Sequence, residues 1–368
     1  MPCRLTGMTS SDELLNFVTA VSGDTFLKVE ENFGDGFVRL KISEAERRQA
    51  KHDIRSVEDI VVELLRNSRD AHATRMFLAT SREGELRTIT LVDDGVGIPD
   101  GMIERVFEPR VTSKLESMVM DQWGVHGRGM ALFSIRSNVD QARVAVSDLH
   151  KGTSVVVISN TTQLAERADQ STWPVLERDE QGVLRVARGP HNIARRVVEF
   201  AVEYPGLELY VGTPTEILAT MAAVARRDLD ASELLFCDDL SKLPVWQRAA
   251  AASDAGELSD IAEEIGLPIS ERTAHRVMAR ELPTLTPVLS SARTAEAPPV
   301  PGVPEGPDIY RDRRGLKIDR SDMAAFRSEL EKAFDTIADR YYLHLKCEPK
   351  ITVGKDDIKV RFEVEKED

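Results

Sequence analysis

The sequence predicts an α+β protein: a two-layer sandwich of helices on a sheet, then a small helical domain and a C-terminal α+β appendage. Three observations carry this expectation. The stretch Val57 to Ala73 is amphipathic, with Ile60, Val61, Leu64 and Leu65 on one stripe. The runs Arg75–Thr80, Arg87–Val92, Ala142–Val146 and Thr153–Ile158 read as strands interleaved with helical segments. A Pro-rich run, APPVPGVPEGP at Ala297–Pro307, cannot hold a core and cuts off a terminal segment.

In chain order, residues 1–48 read as a strap. Short apolar pieces, Phe26–Val29 and Phe37–Leu40, flank a turn-like stretch holding Gly34 and Gly36. Residues 49–214 carry the sandwich. Its strand ending at Val92 meets VDDGVGIP, where two glycines and a proline force the chain out of the sheet. Met102–Phe107 then reads as helical and Glu108–Gln122 as irregular. The glycine run GVHGRG opens a further helix, Met130–Ser137. Pro190–Tyr204 is an amphipathic helix broken by Pro205-Gly206, and Leu207–Val211 follows as a strand. Residues 215–288 read as helix nearly throughout and are expected to form their own domain. The linker spans 289–308. In 309–368, Phe326, Leu330, Phe334, Ile337 and Tyr341 stripe a long helix, and a hairpin is expected to turn at Gly354–Asp357.

Composition narrows the function classes. With 62 acidic against 48 basic side chains in 368 residues, a formal charge of -14, the chain does not coat nucleic acid, and a nucleic-acid role would require a partner. Cys3, Cys237 and Cys347 show no paired spacing, so neither a disulfide framework nor a zinc site is expected. No apolar run approaches a membrane span, and MPCRLTGMTSSDELL lacks the apolar core of a signal peptide. The expectation is a cytoplasmic protein without a membrane partner.

The candidate chemistry begins on the polar face of the central helix, where Glu63, Asn67 and Asp70 sit three and four residues apart. A carboxylate one turn before an amide suits proton abstraction from water beside a magnesium-bound nucleotide triphosphate. Asp93, at a strand end, can accept a hydrogen bond from an exocyclic amine, which suits adenine. Gly95 and Gly97 let backbone approach base and sugar, and Gly124, Gly127 and Gly129 offer N–H groups at a helix N-terminus where phosphates bind. Lys114 can touch phosphate, although a lone lysine in a polar loop is more often solvated.

These pieces resemble the four boxes of the GHKL ATPase superfamily (gyrase, heat-shock chaperone, histidine kinase, mismatch-repair MutL) over roughly Val57–Ile158. The resemblance implies a two-layer GHKL (Bergerat) sandwich that binds ATP and Mg²⁺. By it Asn67 is the metal ligand, Asp93 the adenine contact, Gly97 part of the base pocket, Gly124–Gly129 the phosphate lid and Thr153 a second adenine-side contact. Asp70, Gly95, Ile98, Lys114, Val125, His126, Arg128 and Met130 complete the implied nucleotide contacts. Glu63 stands where hydrolysing members keep their general base. The alternative is a histidine-kinase-like or non-hydrolysing regulatory module that binds a protein partner, since VFEPRVTSK at Val106–Lys114 looks kinase-like.

The run Val186–Pro214 is in turn similar to the basic helix, Tyr-Pro break and strand of the topoisomerase VI B subunit. Residues 215–285 occupy the position of that subunit's helix-two-turn-helix domain. Its transducer domain, which brings a lysine to the γ-phosphate, has no counterpart in the match. This resemblance implies a homodimer when nucleotide is bound, a protein partner such as a topoisomerase A-like subunit, and DNA engaged only weakly or through that partner. Within Ser259–Leu282, Arg272, His275, Arg276 and Arg280 fall on the second helix of a candidate helix-turn-helix; ordinary core geometry is the plainer reading.

Overall fold

The structure is a computed structural model that describes residues 29–113, 119–121, 124–126, 129–179, 181–229, 239–291, 320–341, 343–353 and 358–366. The first half of the strap, Cys3, Cys237, Lys114, Gly127, Arg128, most of the linker and the Gly354–Asp357 turn lie outside them. The described residues fall into two compact units, 29–168 with 173–291 and 169–172 with 320–366.

The first unit opens with a hairpin, β1 (Val29–Gly34) and β2 (Phe37–Leu40), whose second strand also pairs with β5 (Val111–Thr112). Helix α1 (Glu44–Asp53) follows where the sequence suggested only a strap. Ser43 and Glu46 form a capping box at its start, a local signal worth about 1 kcal/mol. The central helix, α2 (Val57–Asp70), uses the same device: Ser56 accepts from the Asp59 N–H and Asp59 accepts from the Ser56 N–H. Its stripe of Val57, Ile60, Val61, Leu64 and Leu65 is fully buried.

A five-stranded sheet runs in the order β12–β3–β4–β9–β8, comprising β3 (Arg75–Glu83), β4 (Leu86–Asp93), β8 (Gln141–Ser147), β9 (Thr153–Asn160) and β12 (Glu208–Gly212). All neighbours are antiparallel except β12 with β3, so the sheet is mixed. On one face lie α2, α3 (Ala131–Asn138) and α4 (Ile193–Glu203), packed on Met76, Leu78, Ile89, Leu91, Val155 and Val157. This is the expected α+β sandwich. Met102–Phe107, expected as a helix, forms two short 3₁₀ turns, Asp100–Met102 and Arg105–Phe107. Six residues are too few to nucleate an isolated α-helix.

The opposite face is also covered. Helix α5 (Pro214–Asp228), a 3₁₀ turn at Val245–Ala250, α6 (Ala255–Glu264) and α7 (Glu271–Met278) share a core with Phe77, Ala79, Val92 and Tyr210 of the sheet. Phe77 stacks on Tyr210 at 5.0 Å and on Trp246 at 5.9 Å. Two sheet hydroxyls donate into the turn after α6, Thr90 to the Gly266 carbonyl (2.8 Å) and Ser154 to the Ile265 carbonyl (2.6 Å). Residues 215–288, expected as a domain of their own, thus share one compact unit with the sheet as a third layer. The physical reason is that Phe77, Ala79, Val92 and Tyr210 give the sheet's outer face a large apolar surface that must be covered. A short helix, α8 (Val288–Ser291), closes this unit.

The second unit has a long helix, α9 (Arg320–Tyr341), and two antiparallel pairs, β13 (Leu343–Leu345) with β16 (Val364–Lys366) and β14 (Lys350–Val353) with β15 (Ile358–Arg361). Phe334 is buried and stacks on Phe362 at 5.3 Å. Phe326, Ile337 and Tyr341 of the expected stripe are exposed. Among the described residues, no helix is long and apolar enough to cross a membrane.

Candidate nucleotide-binding site

A cavity of about 600 Å³ opens between α2, the ends of β4 and β9, and the first turn of α3. The helical period of α2 aims Glu63, Asn67 and Asp70 into it, away from the buried stripe. Asp93, Gly97, Ile98, Gly129, Met130 and Thr153 line it as well. Gly95 is not on the wall; its N–H donates to Asp93 Oδ1 at 2.9 Å and turns the chain beneath it. Gly124, Val125 and His126 form β7 (Gly124–His126), hairpinned with β6 (Val119–Asp121). Lys114, Gly127 and Arg128 belong to the part not described.

The floor is built by strand register. Asp93 ends β4 directly opposite Thr153, the first residue of β9, and Thr153 is in turn opposite Ser147, the last of β8. Three side chains far apart in sequence therefore meet at one end of the sheet. Asp93 is buried; Ser68 on α2 donates to its Oδ2 at 2.6 Å. Burial pushes its carboxyl up to about 6, against the hydrogen bonds from Ser68 and Gly95. Ser147 and Thr153 hydroxyls lie 2.9 Å apart, and Ser147 Oγ accepts from the Ile98 N–H at 2.7 Å.

Two glycines fix this floor. At Gly97 φ is +75°, and an added Cβ would sit 1.9 Å from the Asp148 carbonyl oxygen. At Gly152 φ is +82°, and a Cβ would sit 2.0 Å from the Asp93 carbonyl oxygen. Backbone passes over backbone at both crossings, which only glycine allows.

At the other end Glu63 Oε1 is 2.5 Å from Nη1 of the buried Arg66, one turn along α2. Asp70 pairs with Arg69 at 2.7 Å, and the Arg69 guanidinium stacks 4.7 Å from the Tyr204 ring on α4's C-terminal side. Met130, at the N-cap of α3, makes no side-chain cap bond, and Met130, Ala131, Leu132 and Ser134 line the cavity. Arg110 also lines the cavity and pairs with Glu46 of α1. Sequence reasoning missed Glu46, Arg66, Ser68, Arg110 and Ser147. Only Glu46 carried a signal, as the fourth residue of a capping box.

Among the described residues no group of three or more His, Cys, Asp or Glu side chains could hold a metal alone. The donors present are hard oxygens, the Asn67 amide and neighbouring carboxylates. That set fits magnesium, which binds through one or two protein oxygens, water and substrate phosphates.

Comparison with known proteins agrees with this geometry. Residues 52–163 match the family described as Histidine kinase-, DNA gyrase B-, and HSP90-like ATPase. The chain is similar to the DNA mismatch repair protein MutL of Aquifex pyrophilus, 36% identical over 106 residues, which is 27% of this chain and 24% of that protein. It is also similar to the DNA mismatch repair protein MutL of Lactiplantibacillus plantarum, 39% identical over 84 residues, 22% of this chain and 12% of that protein. The chain thus spans a quarter or less of the length of these relatives. The sandwich around α2, β3, β4, α3, β8 and β9 is thus the part of this chain that is similar to the GHKL ATPases.

Proposed function

We propose that this chain binds ATP with Mg²⁺ and hydrolyses it slowly, with Glu63 as general base and Asn67 as metal ligand. The observation that supports this is the convergence of Glu63, Asn67, Asp93 and Thr153 on one cavity. Asp93 accepts from the adenine amine, with the Thr153 hydroxyl beside it. Asn67 would hold magnesium together with phosphate oxygens, and the ion would neutralise charge building on the transferred phosphoryl group. Glu63 takes the proton from water, and its tie to Arg66 orients the carboxylate.

That same ion pair favours a second reading, a non-hydrolysing nucleotide switch. Steady-state phosphate release by the full chain separates the two. Hydrolysis should fall roughly 10²-fold or more in Glu63→Gln with ATP still bound. Equal rates in both proteins would remove Glu63 as base, and no hydrolysis in either would favour the switch.

The MutL relatives are named for DNA mismatch repair, and we place this chain in DNA processing on that similarity. Nucleotide would drive homodimerisation, and the dimer would act on a protein partner. A topoisomerase VI B-like role with an A-like subunit is the narrower form of this reading. It rests on the run Val186–Pro214, which forms part of β11 (Leu184–Arg188, paired with β10, Val175–Arg178), then α4 and β12.

A further inference from the structure

We propose that Arg110 is the cation that recognises the phosphate chain of the bound nucleotide, and that Glu46 of α1 is the internal anion which the phosphate displaces. The inference rests on the reading of the cavity as an adenine-nucleotide site.

Arg110 lies at the phosphate end. Its N–H donates to the Gly129 carbonyl at 2.8 Å, and its own carbonyl accepts from Leu40 at 3.0 Å, so its backbone is clamped between β2 and the glycine that precedes α3. It holds φ at +64°, a left-handed value costly for a residue with a Cβ. The effect of that clamp is to send a long cationic side chain into the cavity wall. The residue is 7% exposed, and its Nε is buried without an acceptor among the described residues. An orphaned guanidinium donor in a cavity wall is unfavourable unless a ligand completes it.

The other cations on that wall are differently placed. Arg66 is bound to Glu63, and Arg55 is exposed with its Nε directed to the His52 carbonyl. Glu46 is the partner that can let go. Its Oε2 already accepts from the Ser43 N–H and hydroxyl, both at 3.0 Å, while only Oε1 reaches Arg110. Its side chain is 36% exposed. Release of Arg110 therefore leaves Glu46 with its capping-box bonds and with water, so the exchange strands no buried charge. A phosphate oxygen would replace one carboxylate on Nη2 and supply the acceptor that Nε lacks.

The two partners then have opposite effects, which a purely structural ion pair would not produce. Isothermal titration of the full chain with ATP and with adenosine, which lacks phosphate, reads this. Arg110→Gln should weaken ATP binding roughly ten- to a hundredfold and leave adenosine within about twofold. Arg110→Lys should recover part of the loss, since the charge is kept but the fork is not. Glu46→Gln, at a half-exposed position that tolerates change, should tighten ATP binding and leave adenosine alone. Parallel loss of ATP and adenosine in Arg110→Gln, no change in either, or weaker ATP binding in Glu46→Gln would overturn the inference. Failure of the wild type to bind even adenosine would instead strike the nucleotide reading itself.

Discussion

Ser68 on α2 donates a 2.6 Å hydrogen bond to Asp93 at the end of β4, and this bond joins the central helix to the strand end on the cavity floor. Asp93 is buried, with its carboxyl raised to about 6. In the unfolded chain it ionises near 3.8, so between about pH 4 and 6 the folded state holds the extra proton. Stability from this residue is therefore present at the acidic end and lost as pH rises through 6, by roughly 3 kcal/mol at most. Adenine recognition runs the other way, because the ionised carboxylate is the better acceptor for the amine. Adenosine, which carries no titrating phosphate, should stabilise the protein more at pH 7.5 than at pH 5 in thermal melts, and Asp93→Asn should abolish the shift. Equal shifts at both pH values would remove Asp93 as the base contact.

Gly97→Ala is expected to damage the site more than the fold around it. The left-handed φ alone costs about 1–3 kcal/mol, and the Cβ would overlap the Asp148 carbonyl, so the 94–98 loop must shift away from Ser147. Thermal melts should show a lowered midpoint, and titration should show that nucleotide binding is lost while the protein remains folded by circular dichroism. Unchanged affinity would mean that this loop does not shape the base pocket.

Much of this site was legible in the sequence because its parts are local. The helix face of Glu63, Asn67 and Asp70 follows from a period of 3.6, and the crossing at Gly97 announces itself as a glycine-proline break after an apolar strand. What was not legible is register. Nothing in the chain says that Asp93, Thr153 and Ser147 stand opposite one another, since pairing partners are chosen by the whole sheet. Arg110 was equally hidden, because an arginine in a polar stretch gives no sign that the backbone will bury it. The third layer did leave a trace: Met76–Ala79 and Val155–Val157 are unbroken apolar runs rather than alternating ones, the mark of strands covered on both faces.

Deleting the chain after Gly212 should therefore leave an insoluble product rather than a smaller folded ATPase. The cut would uncover Phe77, Val92 and Tyr210, all buried now under α5 and the Trp246 turn. Full burial of such side chains is worth about 1.5–3 kcal/mol each. Soluble expression of the truncated chain with adenosine binding intact would show that residues 215–288 are a separable domain.

The last expectation concerns DNA, where kinship and charge disagree. The MutL relatives carry DNA in their name, yet the field of a chain with formal charge -14 repels phosphate. Local geometry is mixed. Arg272, His275, Arg276 and Arg280 are exposed on or just beyond α7, with Ala274 and Val277 buried behind them, as a groove-reading helix would require. Arg226, at the end of α5, has its pKa lowered first by burial and then by the charge of Arg280; the two form a positive corner. Against this, Arg276 is 3.7 Å from Glu281, and the neighbouring α6 exposes Asp260 and Glu263. A few phosphate contacts set against neighbouring carboxylates give weak binding that falls steeply with salt. The isolated chain should bind labelled duplex only at low ionic strength, with little dependence on a non-hydrolysable ATP analogue. Tight, nucleotide-dependent binding near physiological salt, lost in Arg276→Glu, would overturn this and make α7 a DNA-reading helix in its own right.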